Sequence, residues 1–260
     1  MMLTGAFLCQ SDNRKERIMG RKRLTQFFPG LLPLRKRQKI FCYYMGMRLD
    51  HNRYSETHSD ITLSHPLFHA SWPLYNYKTG YELTYQENKA YNCKLAAKVL
   101  DKLIIAPGET FSFWNAVRGA DRETAYKNGY VLSDGRLQLL PGGGLCQMSS
   151  FLYWLFLHTP LTITEQHTHG IDLHLNMPGI PQGIDAAVAE GWLDLKVRND
   201  TAHTFQLLVS VDSHSMKGVV LSDTKLRSVC QNKLVKSPHY IRIFLGNKQL
   251  HIKVPSAAVQ

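Results

Sequence analysis

The sequence predicts an α+β fold: an antiparallel sheet packed against helices, one of which carries a glycine-rich loop and a cysteine at its N-terminus. Three observations lead there. The segment "ENKAYNCKLAAKVLDKL" spaces Ala90, Cys93, Ala97 and Leu100 as one helical face. Apolar and β-branched runs flank turn signals, the clearest being Asp134-Gly135 within "GYVLSDGRLQLL". After that hairpin, "PGGGLCQMSSFLYWLFLHTP" leads three glycines and Cys146 into an apolar helical run.

In chain order, residues 1–19 read as an extension. Residues 21–47 read as a basic, aromatic arm or short helix pair, broken by Pro29 and Pro33. His, Ser and Pro crowd 55–74, which reads as a linker or loop. The helix from about Gln86 follows, closed by Pro107-Gly108, with a short aromatic strand after it in "APGETFSFWNAV". Beyond the hairpin, the cysteine-bearing helix is buried and ends at Thr159-Pro160. "LTITEQHTH" alternates and reads as a strand. "GIDAAVAEGWLDLKVRND" and "HTFQLLVSVD" give further strands, paired through a turn at Asn199-Asp200. The expected organisation is a basic N-terminal arm (1–54), a linker and lead-in (55–85), a principal domain (86–223) and a basic tail (224–260).

Composition narrows the function. With 44% hydrophobic and 20% charged residues, the 260-residue chain is globular rather than disordered. No apolar run approaches the roughly 18 residues that would mark a membrane span. Positive charge sits at the flanks: 12 Lys and Arg against 3 acids in 1–53, and 8 against 1 in 217–260. Such flanks suit an anionic membrane face or plain solvated surface. No recognition motif accompanies them, so nucleic acid is not an expected partner. "MMLTGAFLCQ" lacks a basic leader, and the five scattered cysteines form no C-x-x-C pair. Both features fit a cytoplasmic protein, at most membrane-peripheral, with reduced thiols.

The chemistry centres on Cys146. In the first turn of a helix, unpaired N–H groups and the positive dipole end favour a thiolate. Gly142, Gly143 and Gly144 permit positive φ and leave the thiol open, while N–H groups around Gly143 and Gly144 and the Gln147 side chain are candidate oxyanion donors. A thiol nucleophile needs a base, and His167 and His169 stand two apart on the following strand, sharing a face. Asp185, one strand later, is placed to orient His169. Two other readings stay open. One is a small buried thiol at a helix start with ordinary strand histidines. The other is a zinc site of His167, His169 and His174 with Asp172 or Cys146. The nucleophile reading calls for no metal and no cofactor.

At these residues a family resemblance enters. "APGETFSFWNAV", "NGYV", "PGGGLCQMSSFLYWLFLHTPLTITEQHTHG" and "GIDAAVAEGWLDLKVRNDT" together resemble the VanW family, and the likeness runs from about Arg21 to Asp223. The resemblance implies an accessory role in glycopeptide resistance of the vancomycin B type. It also implies cysteine-dependent acyl transfer of the L,D-transpeptidase kind on peptidoglycan stem peptides or precursors, against a non-catalytic binding role. Carried over, the glycine-cysteine-glutamine motif falls on Gly142, Gly143, Gly144, Cys146 and Gln147. The acid-then-histidine motif falls on Glu165 and His169, and the glycine-aspartate motif on Gly183 and Asp185. The family commonly has arginine after the glutamate; here Gln166 stands there. After about Asp223 the basic tail departs from the family pattern.

Overall fold

A computed structural model describes residues 32–77, 82–133, 136–169, 180 and 183–227, with strand backbones at 235–237, 240–245 and 248–253. The described elements start with α1 (Leu32–Leu49), β1 (Arg53–Tyr54), β2 (His65–Pro73) and α2 (Leu83–Leu100). It continues through β3 (Leu103–Ile105), β4 (Glu109–Ser112), α3 (Phe113–Ala116), β5 (Asn128–Ser133) and β6 (Arg136–Pro141). The second half holds α4 (Leu145–Leu157), β7 (Thr162–Glu165), β8 (Lys196–Arg198), β9 (Phe205–Val211) and β10 (Ser215–Ser222). In the tail, β11 (Val235–Ser237), β12 (Tyr240–Leu245) and β13 (Lys248–Lys253) form an antiparallel meander.

This is an α+β fold. One sheet has the order β1-β4-β8-β7, mixed because β1 runs parallel to β4; the other is antiparallel, β2-β10-β9-β3. The β5–β6 hairpin pairs Asn128 with Pro141 through to Ser133 with Arg136; the Asp134-Gly135 turn signal lies outside the described residues. α4 is buried on nearly every side, with Phe151, Leu152, Leu155 and Phe156 sealed from solvent against α2, β2 and β10. Each such side chain contributes about 1.5–3 kcal/mol by leaving water. Trp72 meets the Phe151 ring edge-on at 5.5 Å, and Phe111 lies 5.0 Å from Phe156.

Four elements differ from the sequence expectation. The described part of the basic arm is one helix, because Pro33 falls in the first turn of α1, where a missing N–H costs nothing. Segment 55–74, read as linker or loop, supplies β2, whose Pro66 and Pro73 are tolerated on an edge strand. α2 ends at Leu100, and Pro107-Gly108 shapes the β3–β4 turn instead. β8 and β9 belong to different sheets, so Asn199-Asp200 joins no hairpin. There the Asn199 amide donates to the carbonyls of Ile105 (3.0 Å) and His203 (2.7 Å) and fixes the crossing. No helix among the described residues is long and apolar enough to cross a membrane.

Candidate functional site

Cys146 is the second residue of α4, and the loop before it is built by close backbone approach. Gly144 is the N-cap with φ 105°, a conformation other residues resist. A Cβ on Gly143 would lie 2.3 Å from the Gly129 carbonyl carbon, so this loop crosses β5 with no room for a side chain. Asn92 of α2 clamps the crossing. Its amide donates to the carbonyls of Gly143 (2.9 Å) and Lys127 (2.8 Å), and its oxygen accepts the Lys127 N–H (2.8 Å).

The expected oxyanion donors are largely spoken for. The Gly143 N–H donates to Leu140, and the Gln147 N–H to Gly144. The Gln147 side chain is buried and donates to the Pro73 carbonyl at 2.8 Å. Among the described residues, the N–H groups of Gly144 and Cys146 itself take no acceptor.

Histidine and aspartate reach the thiol from irregular chain rather than from strands. β7 stops at Glu165, so His167 and His169 do not share a strand face. The His169 Nδ1 lies 2.7 Å from Asp185 Oδ1, and its backbone N–H donates to Asp185 Oδ2 at 2.6 Å. Both side chains are only 7% exposed. With Nδ1 held by the carboxylate, Nε2 is the nitrogen left for Cys146. Burial alone would depress the imidazole. Hydrogen bonds to Asp185 and Cys146, with the charges behind them, outweigh it and push the His169 pKa up to about 10. The Cys146 thiol also donates to the Val188 carbonyl at 3.5 Å. Cys146, His169 and Asp185 therefore stand together.

His167 and Glu165 form a separate group. His167 Nε2 lies 2.9 Å from Glu165 Oε1, and Lys196 Nζ lies 3.0 Å from Glu165 Oε2. Burial would raise the Glu165 carboxyl, but the bonds from His167 and Lys196 hold it below its ordinary range. Its Oε1 also accepts the Asp194 N–H at 3.1 Å. Asp194 is buried, and that burial raises its pKa despite hydrogen bonds from Ser112 (2.5 Å) and Tyr43 (2.6 Å). Tyr43 belongs to α1, so this network ties the N-terminal helix to the sheet.

Reading the sequence missed three positioning residues. Ser149 donates to the Ala186 carbonyl (2.5 Å), and Ser150 accepts the Ala186 N–H (2.9 Å), which fixes the chain next to Asp185 on α4. Two hydroxyls inside an otherwise apolar helix were the available signal. Gln166 donates to the carbonyls of Asp185 and His167, tying the two irregular segments together. Among the described residues, no group of three or more His, Cys, Asp or Glu is arranged to hold a metal ion. His174 and Asp172 lie outside the described residues.

Comparison with known proteins falls on this same stretch. The family described as VanW like protein matches residues 88–221, which hold the glycine loop, Cys146, His169 and Asp185. The chain belongs to the VanW family. It is 50% identical over 207 residues to the vancomycin B-type resistance protein VanW of Enterococcus faecalis, covering 79% of this chain and 75% of that one. It is 28% identical over 168 residues to the uncharacterized protein YoaR of Bacillus subtilis, covering 62% and 52% respectively. No solved structure matches it.

Proposed function

We propose that this VanW-family chain is an accessory protein of vancomycin B-type resistance, and that it transfers acyl groups on peptidoglycan stem peptides or their precursors. The resistance role rests on half-identity to a protein named for it. The chemistry rests on one observation: Asp185 grips both Nδ1 and the backbone N–H of His169, while the opposite side of that ring meets Cys146.

In the proposed reaction, the Cys146 sulfur attacks a peptide or ester carbonyl and its proton resides on His169 Nε2. The Cys146 and Gly144 N–H groups stabilise the oxyanion, the role first assigned to Gly143, Gly144 and Gln147. Collapse breaks the bond to the leaving amine or alcohol, which takes the proton from His169 and leaves a thioester. An acceptor amine, or water, then gives a proton to His169 and attacks the thioester carbonyl. The sulfur departs with the electron pair. Glu165 and His167, beside Lys196, are assigned to substrate contact rather than to proton transfer.

The deciding experiment is the pH dependence of iodoacetamide labelling at Cys146, located by peptide mass spectrometry. Labelling that persists well below the free thiol pKa of about 8.5, and loses its acid limb in His169→Ala, supports the pair. An ordinary titration unchanged by His169→Ala would overturn the catalytic reading and favour a non-catalytic binding role.

A further inference from the structure

Helix α1 has two working faces. Its inner face carries buried Met47 and the half-buried Tyr43 and Tyr44, whose hydroxyls donate to Asp194 (2.6 Å) and Glu190 (3.0 Å). With exposed Gln38 among them, Leu34, Phe41 and Leu49 stand on its outer face, 65%, 66% and 69% exposed. Separated by seven and eight residues, they fall on one side of an α-helix. Exposed Arg37 and Arg48 border that stripe on one edge. Beyond the other edge Lys39 lies 4.7 Å over the ring of Trp192, itself 44% exposed. Across 32–49 there are five Lys and Arg and no acid.

The two properties select one partner. A nucleic-acid surface would use the cations and leave three large apolar side chains without purpose. A protein groove would accept the apolar stripe with no need for an unbalanced charge of this size. A bilayer surface with anionic headgroups satisfies both at once, and an aromatic ring beside the helix suits the same depth. We propose that the outer face of α1 docks on an anionic lipid surface, with Leu34, Phe41 and Leu49 entering the acyl boundary and Arg37 and Arg48 holding headgroup phosphates. The inner face then fixes what lies behind it. Glu190 follows two residues after Val188, whose carbonyl takes the Cys146 thiol. Docking through α1 would thus hold the segment 188–190, which touches both α1 and Cys146, on the lipid side of the molecule. The docking itself does not depend on the activity proposed for Cys146.

The test is flotation of the full chain with vesicles of phosphatidylcholine alone and of equal parts phosphatidylcholine and phosphatidylglycerol. Binding is expected only to the mixed vesicles and weakens as salt is added. Arg37→Ala and Arg48→Ala each reduce it about fivefold, and Phe41→Ser reduces it about tenfold. These side chains are exposed, so the variants keep the wild-type thermal midpoint, and that is measured alongside. Three results would each overturn the proposal: no binding to mixed vesicles, equal binding to both kinds, or binding untouched by Phe41→Ser and displaced by a DNA duplex. The last would mark a general polyanion surface.

Discussion

His167 and His169 differ by two positions, yet they meet different chemistry: Glu165 at the chain's margin for one, Asp185 and Cys146 for the other. The consequence for His169 is a proton held far more tightly in the folded protein. Its pKa rises from 6.5 to about 10, so its contribution to stability is complete below about 6.5 and lost as pH climbs through 10. Denaturation midpoints of the wild type are expected to decline across that window, with a much shallower decline in His169→Asn. Asp185→Asn removes the strongest favourable partner and shrinks the window from its upper side. Identical pH profiles for all three proteins would show that the carboxylate does not hold the ring. Cys93 offers an internal control. It is fully buried, and burial pushes its thiol up to about 12, so iodoacetamide at neutral pH should modify Cys42 and Cys146 while sparing Cys93. A Cys93 adduct in native protein would contradict the packing of α2 on the glycine loop.

At the scale of elements, the site depends on how α4 grips the two irregular segments beside it. Ser150→Ala would leave the buried Ala186 N–H without an acceptor, at a cost of about 1–3 kcal/mol. The same change frees the residue next to Asp185, so chemical denaturation should show the lost stability and Cys146 labelling should show an altered pH profile. Gly143→Ala is expected to cost more, at or above the upper end of about 1–3 kcal/mol, because the clash is with the Gly129 backbone and no side chain can swing aside. Elements with a clear local pattern were legible: the Cys93–Leu100 face of α2 and the antiparallel pairing of the two apolar runs β5 and β6. Cys146 was legible because three glycines before an apolar helix mark a constrained start. β2 was not, since an edge strand tolerates the Pro66 and Pro73 that argue against a strand from sequence. Nor was the placement of His169 and Asp185 on irregular chain, because Ser149 and Ser150 of α4 hold the chain beside Asp185 and Gln166 ties the His169 segment to it across a long sequence gap.

For the molecule as a whole, the unexpected feature is that the basic N-terminal helix is wired into the β1-β4-β8-β7 sheet. Tyr43 and Ser112 both donate to Asp194, whose own N–H goes to Glu165, and Glu165 continues to His167 and Lys196. One line of hydrogen bonds thus joins α1, β4, β7 and β8. The buried Asp194 pushes the Tyr43 hydroxyl well above its ordinary range, behind the larger effect of burial, so that hydroxyl stays a donor at any working pH. Tyr43→Phe removes the donor and leaves the carboxylate with Ser112 and backbone N–H groups, which costs about 1.5–3 kcal/mol for a bond to a charged group. Because the loss falls at the seam between α1 and the sheet and not in the α4 core, it should loosen α1 before it melts the domain. Limited trypsin digestion is then expected to cut at Arg37, Lys39 or Arg48 in Tyr43→Phe under conditions where the wild-type helix resists, while Lys94 and Lys98 of the core helix α2 stay uncut. Simultaneous loss of both regions would show instead that α1 and the core unfold as one cooperative unit, with Asp194 as part of the core rather than a tether.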